Sequence, residues 1–144
     1  MLGTLAKWLR VCGFDTYYAK RHMKDKELID IAKKENRVII TRDKELIYDA
    51  RREQIKSIKI ETHILDEQIK KILEKIKFDK KYVLSRCLVC NNILDKISKK
   101  EVKEKVPAKV YESHEKFFFC SKCDKIYWKG THYNKMIEKM ENYL

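Results

Sequence analysis

The order of hydrophobic and polar residues in the first half of the chain predicts alternating helices and strands. Apolar residues at intervals of three and four predict a first helix over residues 1–11, which ends at Gly13 as helices end at a C′ glycine. Cys12 continues the apolar stripe and is expected to be a small buried side chain. Aromatic residues and threonine dominate residues 14–19, a composition typical of a strand.

The central feature of this half is a short, wholly apolar run at residues 38–40. Three β-branched residues in succession are typical of a strand that is buried on both faces of a parallel sheet. Helices are predicted over residues 25–36, 43–52 and 64–76, and strands over residues 38–41 and 57–60. Strands that alternate with helices predict an α/β fold with a parallel sheet and right-handed crossovers.

The pattern changes near residues 77–81, where we place a domain boundary. Beyond it lie four of the five cysteines, the only proline, Pro107, and a denser set of aromatic residues. We therefore expect an α/β domain over residues 1–80 and a small metal-stabilised module over residues 81–144. Valines at helical spacing, interrupted at Pro107, predict an insertion over residues 98–111.

The charge of the chain favours a polyanionic partner. The 144 residues carry a formal charge of +12 at pH 7. Residues 1–80 contain 20 Lys and Arg against 14 Asp and Glu, a net charge of +6, and residues 81–144 contain 14 against 8, again +6. RNA or DNA would fit such a charge. The alternatives are that Lys and Glu only coat a soluble protein, or that their abundance reflects a hot environment.

The apolar segments of the chain are short. No run of apolar residues is long enough to cross a bilayer. The apolar stretch at residues 2–11 is interrupted by Lys7 and Arg10, which argues against a signal peptide. We therefore expect a cytoplasmic protein without a membrane partner.

Two C-x-x-C pairs provide the most specific chemical signal in the chain. Cys87 and Cys90 form the first pair, and Cys120 and Cys123 form the second. Two such pairs complete a tetrahedral site of four sulfur atoms, which suits a structural Zn²⁺ that leaves no position open for catalysis. Disulfides fit a cytoplasmic protein poorly, and a thioredoxin-like redox motif needs a single C-x-x-C.

The same module contains aromatic and basic residues. The three phenylalanines at residues 117–119 predict strand packing in a core, with base stacking as the alternative. Trp128 and Lys129 are candidate RNA contacts, and His132 either contacts a phosphate or is a structural histidine. Thr131 is a candidate N-cap of the last helix, which is predicted over residues 132–143.

Asp25 and Asp43 are the strongest candidates for a second metal site. Each lies at the start of a predicted helix beside a strand, and in a parallel sheet those starts lie at one edge, so the carboxylates are expected to converge. Converging carboxylates favour Mg²⁺ or Mn²⁺, which lowers the pKa of a bound water and neutralises charge on a phosphodiester. Asp43 has an alternative role as a helix N-cap. Glu27, Asp30 and Asp49 are weaker candidates, because each also fits a solvated helix face.

Five motifs, spread over nearly the whole chain, resemble one known family. They are MLGTLAKWLRVCGFD at residues 1–15, VIITRD at 38–43, RCLVCN at 86–91, CSKC at 120–123 and YWKGTH at 127–132. In this order they resemble the Mut-seven C-terminal ribonuclease domain family, in which a PIN-like nuclease fold is joined to a C-terminal zinc ribbon.

This resemblance implies a metal-dependent ribonuclease that uses acidic residues at one edge of a parallel sheet. Asp25 and Asp43 match acids attributed to the active site of PIN-like folds, and Thr41 would support that site by hydrogen bonding. Arg42, the rest of the basic surface and the zinc ribbon would hold the RNA.

The chain differs from these relatives at its start. The relatives begin with a strand that ends in an acid just before the Met-Leu-Gly segment, whereas this sequence starts at Met1. Either the true protein is longer than this sequence, or the chain lacks one ligand of the site. For the sequence as given, the resemblance implies a PIN-like sheet without its usual first strand, weak metal binding, and exposed sheet edges that cause poor solubility or strand-sharing between copies. Restoring an upstream strand is expected to raise the melting temperature.

The sequence thus predicts a metal-dependent ribonuclease that hydrolyses RNA phosphodiesters through Mg²⁺ or Mn²⁺, with a zinc ribbon that aids RNA binding. Its activity is expected to be impaired if the first strand is absent. Two alternatives remain open: a non-catalytic RNA-binding protein whose ribbon does the binding, and a protein-interaction module that uses the ribbon as a docking platform.

Overall fold

The computed structural model describes residues 2–143, which divide into two compact units. Residues 2–5 and 18–76 form one unit, and residues 6–17 and 77–143 form the other. The helices are α1 Gly3–Val11, α2 Asp25–Glu35, α3 Lys44–Arg52, α4 Leu65–Lys75, α5 Ala108–Ser113 and α6 Thr131–Asn142. The strands are β1 Ile39–Thr41, β2 Ser57–Lys59, β3 Asp95–Ile97, β4 Phe117–Cys120 and β5 Lys125–Tyr127. Two short 3-10 helices span Lys80–Tyr82 and Lys99–Val102.

The first unit contains a parallel sheet, as the sequence predicts. β1 pairs with β2 so that Ile40 lies opposite Ile58, and α3 connects the two strands. Parallel strands need a crossover of this kind, because the chain must return to the edge at which the first strand began. The α/β class is therefore confirmed, with two strands in this sheet among the residues that the structure describes.

The core of the first unit is formed by one face of each neighbouring helix. Ile29 and Ala32 of α2 pack with Ile39 of β1 and with Leu46 and Ala50 of α3. The helical members are separated by three and four residues, which is the spacing that predicts these two helices from sequence. The spacing of apolar residues therefore predicted both α2 and α3 and the face that each helix buries.

The predicted strand over residues 14–19 is wrong, because this segment has no regular secondary structure. Its backbone bonds to side chains instead of to a neighbouring strand. Thr16 donates its N–H to Asn91 Oδ1 over 3.0 Å, and its carbonyl accepts hydrogen bonds from Arg10. Side-chain partners satisfy these polar groups without a ladder, so the composition of the segment indicated the wrong element.

The second unit contains an antiparallel sheet in the order β3, β4, β5. Phe118 of β4 lies opposite Lys96 on one side and Tyr127 on the other. Phe117 is fully buried, and Phe118 packs against a second hydrophobic core. The buried members of that core are Val11, Val83, Leu84, Met136 and Ile137. Packing of these phenylalanines in a core is therefore confirmed for Phe117 and Phe118.

α1 ends in a Schellman motif at Gly13. Gly13 has a φ of 92°, and its N–H donates to the carbonyl of Arg10, while the N–H of Phe14 donates to the carbonyl of Leu9. These two bonds satisfy carbonyls at the end of the helix, and glycine suits the left-handed conformation that they require. The predicted end of α1 is confirmed, as is the burial of Cys12, whereas Met1 lies outside the described residues.

Two helix starts in the second unit depend on residues just before them. Pro107 precedes α5 and separates it from the 3-10 helix Lys99–Val102, so the insertion forms two short helices around the proline. α6 begins at Thr131 with Gly130 at the N-cap position, so the prediction that Thr131 caps this helix is wrong. Gly130 has an extended backbone, which leaves Thr131 to take the first helical position.

Candidate functional site

The four predicted cysteine ligands lie together in the second unit. The sulfur atoms of Cys87, Cys90, Cys120 and Cys123 all lie within 4.8 Å of one another. Cys87 and Cys120 are fully buried, whereas Cys90 and Cys123 are half-buried. Four sulfur atoms at about 2.3 Å from a tetrahedral Zn²⁺ would be separated by about 3.8 Å, and the Cys90 and Cys120 Sγ atoms are 3.5 Å apart. The donor set and its spacing therefore fit a closed tetrahedral metal site.

Each C-x-x-C pair lies on a tight turn that ends in a left-handed residue. Asn91 follows the first pair with a φ of 71°, and Asp124 follows the second with a φ of 55°. Asn and Asp adopt this conformation more readily than other non-glycine residues. The N–H of Asn91 donates to the Cys87 carbonyl over 2.9 Å, which closes the first turn.

Tyr127 of β5 contacts the cysteine cluster directly. Its hydroxyl oxygen lies 3.1 Å from Cys87 Sγ and accepts a hydrogen bond from the N–H of Leu88 over 3.3 Å. Burial opposes ionisation of Cys87, but hydrogen bonds from Tyr127 and from the backbone outweigh it and lower the pKa of Cys87 to about 6. The tyrosine therefore stabilises a thiolate at one ligand position.

The thiols of Cys120 and Cys123 resist ionisation. Hydrogen bonding with Cys90 and burial raise the pKa of Cys123 to about 12, and burial raises the pKa of Cys120. Once one thiol has ionised, each further negative charge in the cluster is repelled, unless a cation compensates it. A divalent metal would supply that compensation.

Arg10 of α1 also supports the first cysteine pair. Its guanidinium donates to the carbonyl of Leu88 over 2.8 Å and to that of Val89 over 3.1 Å, the two residues between Cys87 and Cys90. The side chain is 8% exposed, although it carries a permanent charge. Sequence reasoning missed this contact, although a single arginine within an apolar helix was a visible signal for it.

Asp25, Asp43 and Asp49 lie near enough in the first unit for their charges to interact, and we call them the acidic cluster. Partial burial and the negative charges of Asp43 and Asp49 raise the pKa of Asp25 above its ordinary value. Within residues 2–143 none of the three carboxylates forms an ion pair with Lys, Arg or His. Among the described residues, the four cysteines are the only group of three or more His, Cys, Asp or Glu side chains whose ligand atoms lie close enough together to hold a metal, so these three acids interact through their charges without forming such a group.

Asp43 caps α3, which is the alternative role that its sequence position suggested. Its Oδ1 accepts a hydrogen bond from the N–H of Glu45 over 2.9 Å. Its own N–H donates to Thr41 Oγ1 over 3.1 Å, so the threonine at the end of β1 holds the turn in place. Capping uses one carboxylate oxygen, and the other has no hydrogen-bond partner in the described part of the chain.

The weaker acidic candidates occupy different environments. Glu27 accepts a hydrogen bond from the Lys24 N–H at the start of α2, and Asp30 is exposed on the same helix. Asp49 lies on α3 beside a surface depression of about 370 Å³ that is lined by Lys44, Glu45, Tyr48 and Asp49. Of the weaker candidates, Asp49 is the one whose charge acts on Asp25.

Arg42 pairs with a histidine that sequence reasoning missed. Its two terminal nitrogens lie 2.8 Å from Nδ1 and 3.2 Å from Nε2 of His63. An arginine only donates, so a ring nitrogen of His63 without a proton must be the acceptor. His63 follows β2 in the chain, and no spacing rule connects it with Arg42, which follows β1.

The candidate RNA contacts of the second unit lie at the start of α6. Trp128 is half-buried after β5, and Lys129 and His132 are exposed. The Lys129 ammonium lies 5.7 Å from the centroid of the Tyr133 ring. These residues are thus neighbours in sequence, two of them accessible to solvent.

In the comparison with known proteins, one family model matches this chain. The family model for the Mut7-C RNAse domain matches residues 1–140 of the 144 residues. The searches found no matching curated protein and no matching solved structure. Among the described residues, none of the helices has both the length and the apolar character to cross a membrane.

Proposed function

The chain belongs to the Mut7-C RNAse domain family, as the five sequence motifs indicated, and from this premise we propose that it is a metal-dependent ribonuclease. The proposed reaction is hydrolysis of RNA phosphodiesters with Mg²⁺ or Mn²⁺. We propose a PIN-like nuclease domain over residues 1–80 and a zinc ribbon over residues 81–144 that aids RNA binding.

The proposal is supported by the family match over residues 1–140 and by the electrostatic interaction of Asp25 with Asp43 and Asp49. The carboxylates of Asp43 and Asp49 raise the pKa of Asp25, and the described residues offer these three acids no cationic partner. Like charges held close together are costly unless a cation is bound between them. Carboxylates whose pKa values are shifted by neighbouring charges are common at functional sites.

We assign a separate role to each residue of this proposed site. Asp25, Asp43 and Asp49 would bind the catalytic ion, and Thr41 would keep the turn that carries Asp43 in its orientation. The bound ion would supply Lewis-acid chemistry at the phosphodiester. Arg42 would hold the RNA backbone near the acids, and in the ribbon Trp128, Lys129 and His132 would contact RNA by stacking and charge.

The zinc proposal rests on the arrangement of the four sulfur atoms. They lie within 4.8 Å of one another, which suits tetrahedral coordination by thiolates. A site of this kind contributes folding energy to a small module, and its four protein ligands exclude substrate from the ion. We therefore assign the zinc to structure and the carboxylates to catalysis.

A cleavage assay tests the enzyme proposal. A labelled single-stranded RNA is incubated with the zinc-loaded chain and Mn²⁺, and the product is followed over time. Asp43→Asn and Asp25→Asn are expected to lower the rate by roughly 100-fold or more, because each removes a ligand charge. Asp95→Asn, an exposed acid on β3, is the matched control and is expected to cut at the wild-type rate.

The outcomes separate the enzyme from the alternatives. Cleavage that persists in Asp43→Asn would point to a contaminating nuclease and contradict the proposal. RNA binding without metal-dependent cutting would favour a non-catalytic RNA-binding protein, for which the net charge of +12 is the supporting observation. The absence of RNA binding altogether would favour a protein-interaction module.

We further propose that copies of the chain associate through the free edges of β1 and β2. Each strand has three residues and one neighbour in the described sheet, so its other edge presents unpaired backbone groups. Sedimentation at increasing concentration tests this idea. A single monomeric species at every concentration would contradict it.

A further inference from the structure

The parallel pairing of β1 and β2 fixes where the next residues of each strand lie. Thr41, the last residue of β1, is opposite Lys59, the last residue of β2, and the N–H of Ile60 donates to the Thr41 carbonyl over 2.9 Å. Both strands therefore end at the same edge. Arg42 follows β1 and His63 follows β2 beyond this edge. The carboxyl ends of the strands are where ligands bind in open α/β sheets.

The contact between Arg42 and His63 is the unusual feature of this edge. The guanidinium nitrogens lie 2.8 and 3.2 Å from the two ring nitrogens of an exposed imidazole. An imidazole is a weak partner for an arginine, because it offers one lone pair to a group with five donors. The arginine is therefore oriented by His63, while most of its hydrogen-bonding capacity is unused.

The acids that neighbour this pair in the chain do not form ion pairs with Arg42. Asp43 directs Oδ1 to the N–H of Glu45. Glu61 lies 3.6 Å from Lys59, and Glu67 accepts a hydrogen bond from the Thr62 hydroxyl over 2.6 Å. Within residues 2–143, Arg42 consequently has no carboxylate partner.

We propose that Arg42 and His63 together bind one phosphate of a single-stranded RNA next to the acidic cluster. The guanidinium would take two phosphate oxygens in its planar fork, and the imidazole would donate to the same phosphate. The adjacent residue, Asp43, belongs to the proposed metal cluster, so the bound phosphate would position the neighbouring phosphodiester there. This inference rests on the proposed function and adds His63 to it.

RNA affinity without added divalent ions tests the pair separately from catalysis. The zinc-loaded chain is titrated into a labelled RNA of about ten nucleotides, and the dissociation constant is measured by fluorescence anisotropy at several salt concentrations. Arg42→Gln is expected to weaken binding about tenfold and to lower the salt slope by about 0.7, the value for one phosphate contact on a single strand. His63→Gln is expected to weaken binding about threefold.

The double variant tests whether the two side chains act as one site. Residues that share one partner show coupling energies, so Arg42→Gln with His63→Gln is expected to weaken binding by clearly less than the product of the two single effects. His63→Lys, which retains a donor and a positive charge, is expected to restore the affinity that His63→Gln loses. Additive losses would mean two independent contacts and would overturn the proposal.

Arg51→Gln provides the matched control. Arg51 is exposed in the last turn of α3, at the other end of the helix that Asp43 caps. This variant removes the same charge and is expected to bind RNA within about twofold of the wild type. Equal losses in Arg51→Gln and Arg42→Gln, or wild-type affinity in His63→Gln, would contradict a specific site.

One further measurement distinguishes an RNA site from a mononucleotide site, and another separates this inference from the ribonuclease proposal. AMP is used as a competitor, and it is expected to displace the RNA only at concentrations far above that of unlabelled RNA. Displacement at equal concentrations would overturn an RNA site in favour of a mononucleotide site. If the Arg42 and His63 variants lose RNA affinity as expected but the wild type does not cut RNA with Mn²⁺, only the ribonuclease proposal is contradicted. If the wild type cuts RNA but these variants bind RNA as well as it does, only this inference is contradicted.

Discussion

Arg10 donates a hydrogen bond to the backbone carbonyl of Leu88 over 2.8 Å, and so connects α1 with the turn between the first two cysteines. The same guanidinium bonds to Val89 and Thr16, which are 79 and 6 residues away in the chain. A buried charge is tolerated at this position because carbonyl oxygens surround it. The geometry of the predicted metal site therefore depends on a residue far from it in sequence.

Arg10→Lys is expected to destabilise the protein by about 2 kcal/mol and to weaken zinc binding, because one compact ammonium would replace the three guanidinium nitrogens that reach the carbonyls of Thr16, Leu88 and Val89. Urea unfolding and a competition assay with a zinc chelator measure the two effects. Lys7→Gln, an exposed change on the same helix, is the control. Equal stability of Arg10→Lys and Lys7→Gln would show that the guanidinium contacts contribute nothing.

Tyr127→Phe is expected to weaken zinc binding by about 10- to 100-fold while the fold is preserved. The variant loses the hydroxyl that bonds to Cys87 but keeps the ring that packs against the core. Zinc affinity and the circular dichroism of the loaded protein measure these effects. Tyr133→Phe, in the same core, should leave zinc affinity unchanged, and a similar loss in both variants would refute a specific role for Tyr127.

Zinc binding is expected to release protons and to weaken as the pH falls. The pKa of Cys123 is raised to about 12 and that of Cys120 is also raised, so both thiols are protonated at neutral pH in the absence of metal. Each must lose its proton to become a thiolate ligand, and acid opposes that loss. Calorimetry in buffers of different ionisation enthalpy counts the protons. A count of zero at pH 7 would contradict coordination by these cysteines.

Asp25→Asn is expected to raise the melting temperature at pH 7 in the absence of divalent ions. The folded-state pKa of Asp25 is raised, so its charge lowers stability above that pKa and has no effect below the unfolded-state value of about 3.9. The difference in melting temperature between Asp25→Asn and the wild type should accordingly shrink as the pH is lowered toward 4. Thermal unfolding between pH 4 and pH 8 measures it.

The same variant tests cation binding. Added Mg²⁺ or Mn²⁺ should raise the melting temperature of the wild type more than that of Asp25→Asn, because binding to the folded state stabilises it. Asp95→Asn should respond as the wild type does. An equal response in all three proteins would place any bound ion elsewhere.

Gly13→Ala is expected to destabilise the protein by roughly 3 kcal/mol or more. A Cβ at Gly13 would lie 2.3 Å from the backbone oxygen of Tyr82, and the φ of 92° is one that L side chains rarely adopt. Gly130→Ala is the control, since its Cβ would lie 3.2 Å from the Trp128 side chain on an ordinary backbone. Chemical denaturation measures both, and equal stabilities would contradict the argument.

Several features could be derived from the sequence because they depend on residues close together in the chain. The apolar spacing within α2 and α3 gave their buried faces, and the β-branched run gave β1. Gly13 marked the end of α1, because only a residue suited to positive φ completes that motif. The short spacing within each C-x-x-C pair was sufficient to indicate a metal site, because two cysteines three residues apart can bind one ion through a single tight turn.

Other features were decided by the tertiary structure. Residues 14–19 have strand-like composition, yet their backbone is satisfied by Asn91 and Arg10, so no strand forms. The pairing of Arg42 with His63 follows from the register of two parallel strands, which composition does not encode. Spacing along the chain determines local periodicity and short chelating turns, whereas the partner of a charged side chain depends on which distant segments the fold brings within about 3 Å of it.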